Sequence, residues 1–273
     1  MNKNATPKIV VKLVEVTPDM ALEMLEKNTM NRNIDQKRVG QYVQDMRCGR
    51  WQMNGTTIVF AEDGTLLDGQ HRLRAVIEAK ITIPFLIVYN ADKDSIVTFD
   101  IGKTRTASNI MQIERSAHSV TAATLTKYLW LHDFIDGNLS PATCRMDVSN
   151  INLREFYNNL KDMIELAADV AEHGGHHFVK SHMALAYCII GRNTAYRYKL
   201  KTFFDTLKTG SDIGMKHPIM TLRNRLFENR LGVRSLSVQE TLAAYIRAWN
   251  AYVRGKDMST IRWNANEPIP EVL

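Results

Sequence analysis

Along the first third of the chain the hydrophobic pattern alternates between a period of two and a period of three to four. Ile9 to Val16 is β-branched and alternating, as a half-buried strand requires. Thr17-Pro18 then supplies a capping side chain and an N1 proline for a helix expected to carry Leu22 and Leu25 inward. Asp35 can cap a second helix, in which Val39, Tyr42, Val43 and Met46 recur at helical spacing before Gly49 ends it. Thr57 to Phe60, a turn at Glu62-Asp63-Gly64, and Thr65 to Leu67 predict a β-hairpin. Asp68-Gly69 breaks the second strand, a helix runs from about His71 to Ala79, and Ile83 to Val88 has the apolar run of a buried strand.

After Ser108 the strand signals fade. Helices are expected near 117–135, 152–172, 181–190, 194–208 and 218–231. A last helix opens on the capping box Ser237-Val238-Gln239-Glu240, puts Leu242, Ile246, Trp249 and Val253 on one face, and stops at Gly255. No internal repeat or linker of biased composition interrupts the chain. The expected fold is therefore an α+β domain over 8–110 with a small mixed sheet, an all-α domain over 111–262, and an extended tail over 263–273.

Composition narrows the class. With 273 residues and 45% hydrophobic content the chain can bury one large core or two modest ones. No run reaches the roughly 18 apolar residues of a membrane span, and Met1-Asn2-Lys3-Asn4 opens no signal-peptide core, so a cytoplasmic protein is expected. Cys48, Cys144 and Cys188 lack disulfide or zinc spacing and are expected to be buried thiols.

The chemistry concentrates at Asp68-Gly69-Gln70-His71-Arg72-Leu73-Arg74-Ala75. A strand that turns directly into a helix presents unpaired N–H groups and the positive end of the helix dipole, a natural seat for an anion. Gly69 can take positive φ and admit a phosphate, while Gln70, His71 and Arg72 would add donors at the rim. Arg72 is the preferred bidentate contact and Arg74 a secondary one. The plain alternative is a tight turn whose arginine pairs with a carboxylate.

Gly69-x-x-Arg72-x-x-Ala75, after an apolar strand and before Ile83-Pro84-Phe85, resembles the Gly-Glu-Arg-Arg box of the ParB partition proteins, whose N-terminal domain binds CTP. It is also similar to the Gly-Cys-His-Arg turn of sulfiredoxin, which holds ATP phosphates on the same fold. Asn31-Arg32, the helix from Asp35 and the strand from Thr57 follow in the same order. The likeness extends to the Asp-Gly-Gln-His-Arg proteins of this superfamily, commonly of phage or mobile elements and labelled ParB-like, which Asp100-Ile101-Gly102-Lys103-Thr104-Arg105 also resembles. The resemblance implies a nucleoside triphosphate (CTP or ATP, with Mg²⁺) at Gly69, Gln70, His71, Arg72 and Arg74, action on or at DNA, and a possible homodimer. Lys103, Arg105 and Asp100 would either close over the nucleotide or stitch the two halves together.

Two departures limit the activity implied. Sulfiredoxin's cysteine and ParB's acidic residue both fall at Gln70, so sulfinic acid reduction is not expected and no base in the motif activates water for hydrolysis. A weak NTPase, a ParB-like nuclease or a DNA-modifying enzyme would have to draw on His71, Asp68 or Asp100. A third reading is a protein-interaction adaptor with a vestigial nucleotide turn.

Two further clusters stand out. Glu172-His173-Gly174-Gly175-His176-His177, with His182 nearby, lacks ligand spacing and reads as a polar loop, so no metal is expected. Net charge is +6 with pI near 9.2, yet the segment 180–234 alone holds eleven cations against three acids. Arg192, Arg197, Lys199, Lys201, Arg223 and Arg225, interleaved with Tyr196, Tyr198, Phe203 and Phe204, make it the candidate nucleic-acid surface. The alternative is a solvated basic face over aromatics that belong to the core.

Overall fold

The computed structural model describes residues 9–31, 33–98, 106–174, 178–233, 235–264 and 267–273, with only the backbone of 96–98. Two compact units divide between residues 104 and 105. The first is mixed α/β, the second helical, and the chain as a whole is mostly helical.

In the first unit β1 (Val10–Val16), α1 (Pro18–Glu26), α2 (Gln36–Arg47), β2 (Thr57–Ala61), β3 (Leu66–Asp68), α3 (Gln70–Ala79) and β4 (Ile83–Ala91) follow in order, then a 3₁₀ turn at Lys93–Thr98. The strands form one sheet in the order β1-β4-β2-β3. β4 is antiparallel to β1 (Val14 opposite Phe85) and parallel to β2 (Ile58 opposite Ile87), while β2 and β3 form the antiparallel hairpin, with a bulge at Val59/Phe60. Central β2 is buried on both faces. Ile58 and Phe60 join a core with Leu73, Val76, Phe85 and Ile87, whereas Val59 and Ala61 join Leu67 and Ala91 on the other side. Such continuous burial makes Ile58-Val59-Phe60-Ala61 an unbroken apolar run. Helices α1 and α2 both pack on α3.

Thr17 caps α1 with Pro18 at N1, and Asp35 accepts from the amides of Lys37 and Arg38 at the head of α2, as the sequence predicts. The phase of α1 differs from expectation. Leu22 is 54% exposed, because the inward stripe is Met20, Ala21, Met24 and Leu25, with small Ala21 at the closest approach. Cys48 is likewise exposed rather than buried, since it caps the C-terminus of α2.

The second unit comprises α4 (Ala107–Ile113), α5 (Ser119–Phe134), α6 (Pro141–Cys144), α7 (Asn150–Asn159), α8 (Lys161–Glu172), α9 (Lys180–Asn193), a 3₁₀ turn at Arg197–Lys199, α10 (Leu200–Thr209), α11 (Pro218–Arg230) and α12 (Val238–Val253). The single helix expected over 152–172 is two, because Leu160 leaves helical geometry at φ −123°. The helix expected from 194 begins only at Leu200, after the 3₁₀ turn. Around α12 lies an aromatic core in which Trp249, Tyr245, Phe203 and Phe204 are fully buried and Phe203 meets Trp249 edge-on at 5.3 Å. The last residues form neither helix nor strand and are held by Asn250, whose Oδ1 accepts from the Leu273 amide at 3.0 Å and whose Nδ2 donates to the Glu271 carbonyl at 2.7 Å. No helix among the described residues is long and apolar enough to cross a membrane.

In the same unit His182 lies on α9, its ring 6.1 Å from Tyr128 and its Nδ1 buried without a partner. Burial pushes its pKa down from 6.5 to about 4. Between those values the unfolded chain binds a proton that the native chain refuses, so stability is full above about pH 6.5 and falls as pH drops to about 4. The loss should total about 3 kcal/mol. Denaturant titrations across that window should show the decline in the wild type and a markedly flatter profile in His182→Leu.

Candidate functional site

The junction of β3 and α3 is wired through one carboxylate. Asp68 Oδ1 accepts from the Gly69 amide at 2.7 Å, and its Oδ2 accepts from Arg72 Nη2 at 2.7 Å. The same Nη2 donates to the Thr57 carbonyl at 2.8 Å, which ties the head of α3 to the start of β2. Gly69 stands at φ 109°, and a Cβ there would lie 3.0 Å from Ile58. The residue must therefore be glycine twice over, for its dihedral angle and for the floor beneath it. Its carbonyl accepts from the amides of Arg72 and Leu73, closing the first turn.

The neighbouring side chains point inward, which corrects the expectation that Gln70, His71 and Arg72 line a rim. Gln70 is 4% and His71 8% exposed, and the Arg72 side chain 13%. Asn28 Nδ2 donates to Gln70 Oε1 at 3.0 Å, and Asn31 Nδ2 donates to both Asn28 Oδ1 and the Leu66 carbonyl at 2.7 Å. The Asp35 amide donates to His71 Nε2 at 2.9 Å. An amide can only donate, so Nε2 carries no proton and the ring is the neutral Nδ1–H tautomer. Through these bonds the segment between α1 and α2 is fastened onto the β3–α3 turn. Arg74 lies outside this network, paired with Glu78 at 2.8 Å across one turn of helix. Asp100, Lys103, Arg105 and Arg32 lie outside the described residues, as do Gly175, His176 and His177.

The Asp35–His71 bond places the N-terminus of α2 beside that of α3. Two positive helix ends thus share one place, partly offset by the Asp35 carboxylate that caps α2. Asp68 has both oxygens engaged and His71 gives its Nε2 lone pair to an amide, so these two candidates hold the turn together. The arrangement can receive an anion; among the described residues it offers no poised general base.

Comparison of the chain with protein-family models, curated proteins and solved structures returns no match.

The basic segment has partners that its own sequence does not reveal. Arg192 Nη2 donates to both carboxylate oxygens of Asp133 on α5 at 3.0–3.1 Å. Burial raises the pKa of Asp133, but hydrogen bonds from His132 and Arg192 outweigh it and hold the carboxyl below its usual range. Lys201 pairs with Asp205 at 2.6 Å while staying 88% exposed, and that bond is the main cause of the lowered Asp205 pKa. Other cations sit on carbonyls at helix ends. Arg197 Nε donates to Gly191 in the last turn of α9, and Lys199 Nζ reaches the Val253 carbonyl of α12 at 3.4 Å beneath Tyr196, Tyr198 and Tyr252. Arg223 donates to the Leu207 and Lys208 carbonyls of α10 with its guanidinium over Phe227. Arg225 Nη1 donates to the Ile261 carbonyl at 2.9 Å. Lysine and arginine at helix C-termini neutralise the negative end of the dipole. Phe203 and Phe204 belong to the core, which leaves Tyr196 and Tyr198 as the exposed aromatics.

The sequence reading passed over Asn28 and the role of Ile58. Two asparagines three apart between helices were the available signal for the first; nothing local marks the second. Gly69→Ala should destabilise the chain by about 1–3 kcal/mol. Gly232→Ala provides the contrast, since φ is 74° there but the space is open, and should cost only the backbone penalty of about 1 kcal/mol. Urea unfolding of both variants checks the order; equal losses would show that Ile58 is not the obstacle.

Proposed function

We propose that the chain is a ParB/sulfiredoxin-like nucleotide-binding protein that acts at DNA, with the α/β unit holding the phosphates and the helical unit facing nucleic acid. The observation that carries this reading is the β3–Gly69–α3 turn, braced by Asp68 and Arg72 and met by the N-terminus of α2. Backbone dipoles rather than the inward side chains then supply the attraction for the phosphates of CTP or ATP with its Mg²⁺. The commitment of Asp68 and His71 to the turn, with Gln70 where an acid would activate water, supports binding without hydrolysis and counts against a nuclease.

Arg72→Ala is a poor probe, because it removes a buried brace along with any ligand contact. Gln36→Glu, at the exposed first position of α2, is a better one. An acid in the first turn favours α2 while making the shared positive region less positive, so fold and affinity should part. Calorimetric titration with CTP, ATP and GTP should show binding by the wild type, about fivefold weaker in Gln36→Glu, with the melting temperature unchanged or higher. If the wild type takes none of the three nucleotides, the reading fails.

For DNA, the internal pairings reduce the charge on offer. Four free cations would give a log–log salt slope of roughly −3.6. Arg192, Arg197, Lys199 and Lys201 are engaged within the unit, whereas the exposed Lys216 and Arg230 have no ion pair among the described residues. A slope of roughly −1.8 is therefore expected, abolished by Lys216→Gln with Arg230→Gln and unchanged by Lys201→Gln. Fluorescence anisotropy with duplex DNA between low and physiological salt reads all three; a steep slope that Lys201→Gln shallows would restore the four-cation surface.

A further inference from the structure

A cleft of about 810 Å³ opens in the helical unit between the exposed side of α11 and the segment 259–264. Its size falls within the roughly 300–1,000 Å³ of small-ligand sites and exceeds what one base needs, leaving room for flanking backbone. Its lining includes one flat, polarisable ring, that of Trp263, whose indole Nε1 donates to the Pro268 carbonyl at 3.1 Å, and the side chain of exposed Met215. The lining also includes Asn224 and Glu228, one helical turn apart on α11. An amide offers a donor and an acceptor together, and a carboxylate accepts from an exocyclic amine, which is the hydrogen-bonding character of a nucleobase edge. Two guanidiniums complete the site. Arg225 is pre-oriented by the Ile261 carbonyl at 2.9 Å, and Arg262 stands exposed at the rim.

We propose that this cleft receives an unpaired base of single-stranded DNA, stacked on Trp263, with its edge against Asn224 and Glu228 and its phosphate at Arg262. The proposal rests on the reading that the chain works at DNA and adds the strand state and the place of contact. A base within a duplex has its edge paired and its faces stacked, so it cannot fill the cleft without being unstacked. The carboxylate favours an exocyclic amine, so cytosine binds better than thymine. Charge alone does not explain such a site, since Arg225 and Arg262 share the lining with Glu228 and Glu267, the latter paired with Arg247. Stacking and edge contacts carry the affinity, and the salt dependence is correspondingly shallow.

The test uses the full chain and fluorescein-labelled oligo-dC, oligo-dT and a mixed duplex, each of about a dozen nucleotides. Anisotropy should show oligo-dC bound at least tenfold more tightly than the duplex, and more tightly than oligo-dT. Asn224→Ala and Arg262→Gln, both exposed positions, should each weaken oligo-dC about tenfold and leave duplex binding and melting temperature unchanged. Trp263→Phe should retain binding but lose the quenching of indole fluorescence that accompanies it. Equal affinity for strand and duplex, or variants that bind oligo-dC as the wild type does, overturns the cleft while leaving the DNA reading intact. Cytidine monophosphate binding as tightly as the strand overturns the strand as occupant. Absence of binding to any of the three nucleic acids removes the DNA reading itself, and the proposal with it.

Discussion

The left-handed conformation of Gly69 over Ile58 is the constraint on which the α/β unit depends. It lets β3 become α3 with one intervening residue, and it fixes where α3 starts relative to the middle of the sheet. That position in turn brings Gln70 under Asn28 and His71 under Asp35, so the segment between α1 and α2 closes onto the turn through side chains rather than through a longer loop. Asp68 and Arg72 brace the arrangement, one carboxylate bridging a backbone amide and a guanidinium.

Much of this was legible from local signals. Thr17-Pro18, Asp35 and the Ser237–Glu240 box marked helix starts because a cap needs only a few consecutive residues, and each side chain makes the bond its type predicts. The central strand was visible as an apolar run, and Asp68-Gly69 as a break. The rotation of α1 was not, since Ala21 and Leu22 differ only by which faces α3, a decision made by packing. The inward turn of Gln70 and His71 was equally hidden, because their partners lie 42 and 36 residues away. Short α6 was missed for a different reason: four residues carry no periodicity to detect.

The basic segment shows how charge counting along a chain misleads. Arg192 finds its acid 59 residues upstream, and Arg197, Lys199 and Arg223 pair with backbone carbonyls and with no acidic side chain among the described residues. They neutralise the partial charge on carbonyls that end α9, α12 and α10, a debt created by the fold and absent from any tally of ionisable residues. A helical unit with many short helices has many such ends, and a local excess of cations is one way to settle them. The exposed surface is then less basic than its sequence.

The bond from the Asp35 amide to His71 also joins two things that are usually separate, a residue of the candidate site and the first peptide of a helix. Anything that takes the His71 lone pair, whether a proton or a ligand donor, must release that amide, and the release loosens the start of α2. By thermodynamic linkage the relation runs both ways: whatever secures the start of α2 also biases the imidazole towards its present tautomer. The tautomer of His71 and the order at the start of α2 are thus a single coupled equilibrium, with one hydrogen bond as the coupling element.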